Sequence, residues 1–182
     1  MNVARLVSCV STCLALTLFT NLSHAQQPTP NPVAAACGSA RANYNVNRGA
    51  ATIDLAPPPP GQALVYIIET MPDYPFVTKK VNIGLDGTWL GATDAQSHMS
   101  FTIDPGVHHL CAVYQGHAAS MDEQGHTLLL HLDAEAGKIY YIRYHAFFAK
   151  DTPGIAFFEP VDEDEGLLLL QRTEHATSVL KK

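Results

Sequence analysis

Histidine, serine, cysteine and carboxylate side chains carry most protein chemistry, and this chain of 182 residues holds nine histidines and four cysteines. Eight of the histidines lie beyond residue 25, at positions 98, 108, 109, 117, 126, 131, 145 and 175. A zinc or copper ion would need several of them converging from one face of adjacent strands. His108 and His109 are consecutive in a predicted strand, so they point to opposite faces and cannot both reach one ion there. His131 and His145 fall on neighbouring predicted strands and form the pair placed to approach. The histidines are otherwise read as surface or hydrogen-bonded groups, and no metal ligand set is assigned.

A hydrolase would need a nucleophile, a base and an orienting acid. Ser97, Ser100 and Ser120 have histidines nearby, yet none sits in a recognisable nucleophile turn, and neither G-x-S-x-G nor H-E-x-x-H occurs. No catalytic residue and no cofactor site is assigned, and the chain is read as not an enzyme. The acidic run Asp162 to Glu165 lacks the D-x-D-x-D-G alternation that wraps oxygens around calcium. It suits the first turn of a helix, where carboxylates face the positive end of the dipole.

The cysteines bear on compartment. Arg5 precedes an apolar run, Leu6 to Phe19, and Ser23-His24-Ala25 supplies a small residue, a spacer and a small residue, as in a signal peptide (residues 1–25) cleaved after Ala25. The run is too short for a comfortable membrane span, so no transmembrane span is expected in the mature chain. Cleavage removes Cys9 and Cys13, leaving Cys37 and Cys111, which are expected to form one disulfide in an oxidising compartment. A bridge closing about 75 residues is worth on the order of 4 kcal/mol as an upper figure. Cys37 follows three alanines, like a lipid-attachment box, but Gln26 to Pro32 separates it from the apolar run. A periplasmic or secreted protein is therefore preferred to a lipoprotein. Without Arg5, 10 of the 11 basic residues remain against 17 acidic ones, a net charge of −7. That balance argues against nucleic acid or an anionic membrane as partner.

The elements that must position these residues are strands. Val81, Ile83 and Leu85 alternate with polar or small residues, as do Met99, Phe101 and Ile103, and Leu128, Leu130 and Leu132. These three faces are expected in one core. Asp86-Gly87, Pro105-Gly106, Ala136-Gly137-Lys138 and Pro153-Gly154 supply turns. The span Val81 to Tyr114 reads as one meander around which the other strands are arranged. Gln62 to Glu69 is almost continuously apolar and fits a central strand covered on both faces. Residues 26–60 read as a flexible Pro- and Ala-rich lead, with a weak strand or hairpin at Tyr44 to Val46 and Ala51 to Leu55. Pro57 to Pro60 form a stiff spacer. Val161 to Arg172 reads as a helix, weakened by Gly166, and residues 173–182 as a solvated tail. The strand domain is placed at 61–172.

Two aromatic features could serve a partner. Trp89, the single tryptophan, lies just past a hairpin tip, where it either caps the core or anchors a protein or sugar ring. The strand Ile139 to Phe148 carries consecutive tyrosines that must face both sides of their sheet, so Tyr141 and its neighbours could meet a docking partner.

In order along the chain come Gly61-x-Ala63-Leu64-Val65-Tyr66, Asp86-Gly87 with Gly91, Asp104-Pro105-Gly106-x-His108, and Ala136-Gly137-Lys138-x-Tyr140-Tyr141. Their order and spacing resemble the bacterial domain-of-unknown-function family 2846 of small exported proteins, over Gly61 to Gly166. The hairpin at Val81 to Thr93 and the Pro-Gly-x-His turn also resemble PEGA-type modules. The resemblance implies an exported β-sandwich and transfers no catalytic residue. The expected fold is an all-β, antiparallel β-sandwich (Ig-like or transthyretin-like) of about eight strands with one short C-terminal helix. The expected function is a non-enzymatic binding or structural module of the cell envelope, with an envelope protein or glycan as partner. A small exported hydrolase or metal-binding protein is the alternative.

Overall fold

The computed structural model describes residues 32–38, 42–50, 53, 56–72, 80–115, 127–147 and 155–182. The leader and its cleavage site, most of the Ala51 to Leu55 arm, the loop carrying His117, Ser120 and His126, and the Pro153-Gly154 turn lie outside them. The described chain is mostly β, with ten strands in two sheets and two helices. In chain order they are α1 (Pro32–Cys37), β1 (Tyr44–Gly49), β2 (Ala63–Glu69), β3 (Val81–Leu85), β4 (Thr88–Thr93) and β5 (Ser97–Ile103). There follow β6 (Gly106–Tyr114), β7 (Leu128–Ala134), β8 (Ile139–Phe147), β9 (Ile155–Val161), α2 (Glu163–Gln171) and β10 (Glu174–Leu180). Sheet A has the order β1-β10-β5-β2-β8-β9 and sheet B the order β4-β3-β6-β7.

The alternating faces meet as their periodicity requires. Val81, Ile83, Ile103 and Leu132 are buried in one cluster with Val65, Ile67, Leu110 and Ile142, and Leu85, Met99, Phe101, Leu128 and Leu130 pack against it. Central β2 gives Val65 and Ile67 to this inner core and Tyr66 and Ile68 to a second cluster on the outer face of sheet A. The continuous apolar run thus reflects a strand covered on both sides.

The meander does not stay in one sheet. β3, β4 and β6 belong to sheet B, whereas β5 crosses to sheet A beside β2. The crossing is made by the turn Asp94–Gln96, where Gln96 adopts φ +53° and Ser97 Oγ donates to the Asp94 carbonyl at 2.6 Å. Nor is the sandwich wholly antiparallel. β8 runs parallel to β2, and β10 parallel to β5. Because β9 is antiparallel to β8 and β2 antiparallel to β5, β9 and β10 run the same way, with α2 as the crossover between them. Such a connection needs a helix lying over the sheet.

Residues 173–182 are therefore not a tail. Glu174–Leu180 inserts between β5 and β1, and β1 pairs with it along its whole length, from Tyr44↔Leu180 to Gly49↔His175. The sandwich thus extends past 61–172 at both ends. The strand was hard to see because its inward positions are small: Ala176 is buried, and Ser178 Oγ accepts from the Ala92 amide of β4 at 3.1 Å.

Part of the expected flexible lead is also structured. The alanine-rich segment ending in Cys37 forms α1, too short to persist alone. It is held on the outer face of sheet B, where Ala36, Cys37, Cys111 and Val113 form a buried cluster. The Cys37–Cys111 disulfide closes it, with Cα atoms 5.4 Å apart. Gly84 permits this approach, since a Cβ there would lie 2.9 Å from Cys37 Cα. Cys37→Ser and Cys111→Ser should each lower the melting temperature by a similar amount, and the double variant by no more than either. Losses that add would show that each side chain acts alone.

Candidate functional site

The outer face of sheet A carries a row of chemistry-bearing side chains. Register places His175, His98, Ile68, Arg143 and Glu159 in one row across β10, β5, β2, β8 and β9. One side of this row is roofed by α2. Asp162 starts that helix by accepting the Glu165 amide at 2.9 Å, and Glu163, Asp164 and Glu165 fill the first turn. The acidic run is thus a helix start, as its order required.

At the far end of α2, Thr173 Oγ1 donates its proton to the Leu169 carbonyl at 2.9 Å. The same oxygen, 2.9 Å from His98 Nδ1, must then accept from that ring. His98 is 1% exposed, and burial, helped by the neighbouring His175, lowers its pKa to about 4. It is a neutral donor that locks the end of the helix to β5.

At the other end of the row, Arg143 bonds Glu159 and also donates from Nη1 to Glu165 Oε1 at 2.6 Å, tying β8, β9 and α2 together. The Arg143 bond holds the Glu159 carboxyl below its usual range. His145 Nε2 lies 3.3 Å from Glu159. Burial first, then the Arg143 charge, lowers its pKa. Beyond the helix the same face is open: Phe147, Ile155 and Phe157 are 63%, 59% and 43% exposed, and both phenylalanine rings contact His145.

The two aromatic residues singled out in the sequence are placed differently. Tyr141 is buried, stacked on Tyr66 with centroids 5.6 Å apart, and covered by the backbone of α2 at Gly166. It presents no surface to a partner. Trp89 is half-buried against the disulfide cluster and against the cluster of Ala42, Tyr44 and Ala92, so it seals the outer face of sheet B. The exposed rings belong to Phe147 and Phe157. Strand alternation puts residues 141, 143, 145 and 147 on one face, with Tyr141 at its covered end.

The remaining candidates lie apart from this row. His108 sits between two turns: Nδ1 is 2.6 Å from Asp86 Oδ2 and Nε2 is 2.8 Å from the Asp104 carbonyl. Both partners accept, so both ring nitrogens donate and the ring is an imidazolium. Burial works against that charge, but the bond and charge of Asp86 and the Asp104 carbonyl outweigh it and raise the pKa. A ring so engaged has no free nitrogen for general-base work. Ser97 is committed to its own turn. His131 and His145 stand in different sheets, and His131 instead stacks on His109, with centroids 5.6 Å apart. Among the described residues, no group of three or more His, Cys, Asp or Glu could hold a metal ion. A cleft of about 440 Å³ beside the start of α2 is lined by Tyr140, Ile142, Pro160 and Glu163, with no serine, cysteine or histidine in its wall.

Glu69 is the polar residue that periodicity did not reveal. It is fully buried at the end of β2, where Thr93 Oγ1 donates to it at 2.7 Å. Burial first, then the Glu69 charge, pushes the Tyr114 and Tyr144 phenols up. A glutamate closing an apolar strand looks like a strand end, and only the two-layer packing turns it inward.

No protein-family model, no curated protein and no solved structure matches the chain.

The buried His98 sets an acid dependence. Its ordinary value is 6.5 and its folded value about 4, so between these the unfolded chain takes up a proton that the folded chain refuses. Its contribution is complete above 6.5 and is lost as pH falls toward 4, a loss of about 3 kcal/mol. Urea unfolding at pH 7.5 and 4.5 should show His98→Gln losing less stability on acidification than the wild type. Equal losses would place the acid sensitivity elsewhere.

Proposed function

We propose that the chain is a non-enzymatic, exported β-sandwich module of the cell envelope that binds a partner protein through the outer face of sheet A. The observation that carries this reading is the open aromatic row beyond α2, formed by Phe147, Ile155 and Phe157 beside His145. Large apolar side chains gathered at one end of a face otherwise roofed by a helix are what a docking surface requires. A protein is a better occupant than a glycan, because these three side chains offer no hydrogen-bonding groups to sugar hydroxyls.

Export is supported by the leader-like first 25 residues and by a disulfide of the kind that persists in oxidising compartments. Among the described residues, no helix is long and apolar enough to cross a membrane. The Ig-like or transthyretin-like build and the kinship to family 2846 belong to the same proposal. They rest on the two-layer β architecture and on the order of the turn motifs. The hydrolase alternative is disfavoured by His108, whose two nitrogens are both engaged, and by Ser97, which closes a turn.

The test is affinity capture from envelope extract with the mature protein, alongside Phe147→Ser/Phe157→Ser and a control, Leu129→Ser, on the opposite sheet. Wild type and control should retain a common protein that the double variant loses. Retention of the same proteins by all three, or capture of glycan alone, would overturn the reading.

A further inference from the structure

The outer face of sheet B carries a second arrangement that the binding reading does not use. His109 on β6 and His131 on β7 are direct cross-strand partners. The Asp86 amide donates to the His109 carbonyl at 3.0 Å, and the His109 amide donates to Asp86 Oδ1 at 2.8 Å. Both main-chain groups of His109 therefore face the β3 side. Toward β7 the pair is of the non-hydrogen-bonded kind, in which Cα atoms approach to about 4.5 Å and side chains stand closest. The two rings lie side by side, with centroids 5.6 Å apart and planes 12° from parallel.

We propose that His109 and His131 form a chelating site for a late first-row divalent cation, copper(II) foremost. Two imidazoles side by side on adjacent strands can each turn one nitrogen toward a shared ion at about 2.0 Å, with water filling the other positions. The His109 side chain is 61% exposed and His131 is also exposed, so an ion meets them without opening the fold. Asp86 Oδ1 lies 4.0 Å from His109 Nδ1. That carboxylate sets a negative charge beside the pair, which favours a cation there. Asp133, two residues beyond His131 on the same strand face, adds a second negative charge beside the pair. Copper(II) is favoured because it heads the affinity order for nitrogen sites. The site lies on the opposite sheet from the aromatic row, so its occupancy and partner docking are separate properties.

The experiment titrates the mature protein with copper(II) alone, following the visible copper absorption and the melting temperature, which a ligand of the folded state must raise. The wild type should bind one equivalent. His109→Gln and His131→Gln should each weaken binding by at least the roughly tenfold loss that even an outer-shell substitution causes. The double variant should lose the site entirely, while His145→Gln should bind as the wild type does. Both substituted side chains are exposed, so circular dichroism should confirm that the variants fold. Undiminished binding by the folded double variant, or no stoichiometric binding by the wild type, would overturn the proposal.

Discussion

Gly166 lets the backbone of α2 lie directly on the Tyr141 ring, a contact that no side chain at that position would leave intact. Leu170 descends beside it into the cluster of Tyr66, Ile68 and Tyr141. With the helix seated at this height, Arg143 reaches Glu165 at its start and Thr173 meets His98 at its end. The chain is then delivered to β5 in the register that makes β10, and β10 in turn provides the edge on which β1 pairs. A glycine costs a helix about 1 kcal/mol relative to alanine. Here the close approach it permits places the helix, the last strand and the first.

Each sheet has an outer face to cover, and the two are covered by different means. Sheet A uses the crossover helix, whose position is fixed by chain connectivity and packing. Sheet B uses α1, which has a single turn or so of helix and is fixed by the Cys37–Cys111 bond and by Trp89. What each cover leaves bare is where the two proposed functions lie. Beyond α2 the aromatic row of β8 and β9 is open. On sheet B, away from α1, the His109–His131 pair is open.

The inner core was legible because alternation in Val81–Leu85, Met99–Ile103 and Leu128–Leu132 has one physical cause, a strand with one buried face. The double cover of β2 was legible from its continuous apolar run, and the disulfide from there being only two cysteines beyond residue 25. Sheet membership was not, because strand patterns do not say where the chain changes layers; that depends on a turn such as Asp94–Gln96. The strand β10 was masked by small inward residues, Ala176 and Ser178, that pack on β4 without a strong apolar signal. For the site, the sequence showed that the aromatic residues of β8 face both sides, but not which face or which end the helix would roof. It separated His108 from His109 correctly, yet could not pair His109 with His131, since that pairing depends on the β6–β7 register, which neither strand's own pattern sets.

The central claim is that the seat of α2 on Tyr141 holds the crossover, β10 and β1 as one unit. Amide hydrogen exchange on Gly166→Ala, compared with the wild type, tests it most directly. Alanine is the better helix former, so propensity alone would slow exchange in α2. The account predicts the reverse: faster exchange in α2, β10 and β1 together, with the amides of β3, β6 and β7 keeping their protection. Slower or unchanged exchange in α2, or acceleration confined to the helix with β10 and β1 unaffected, would contradict it.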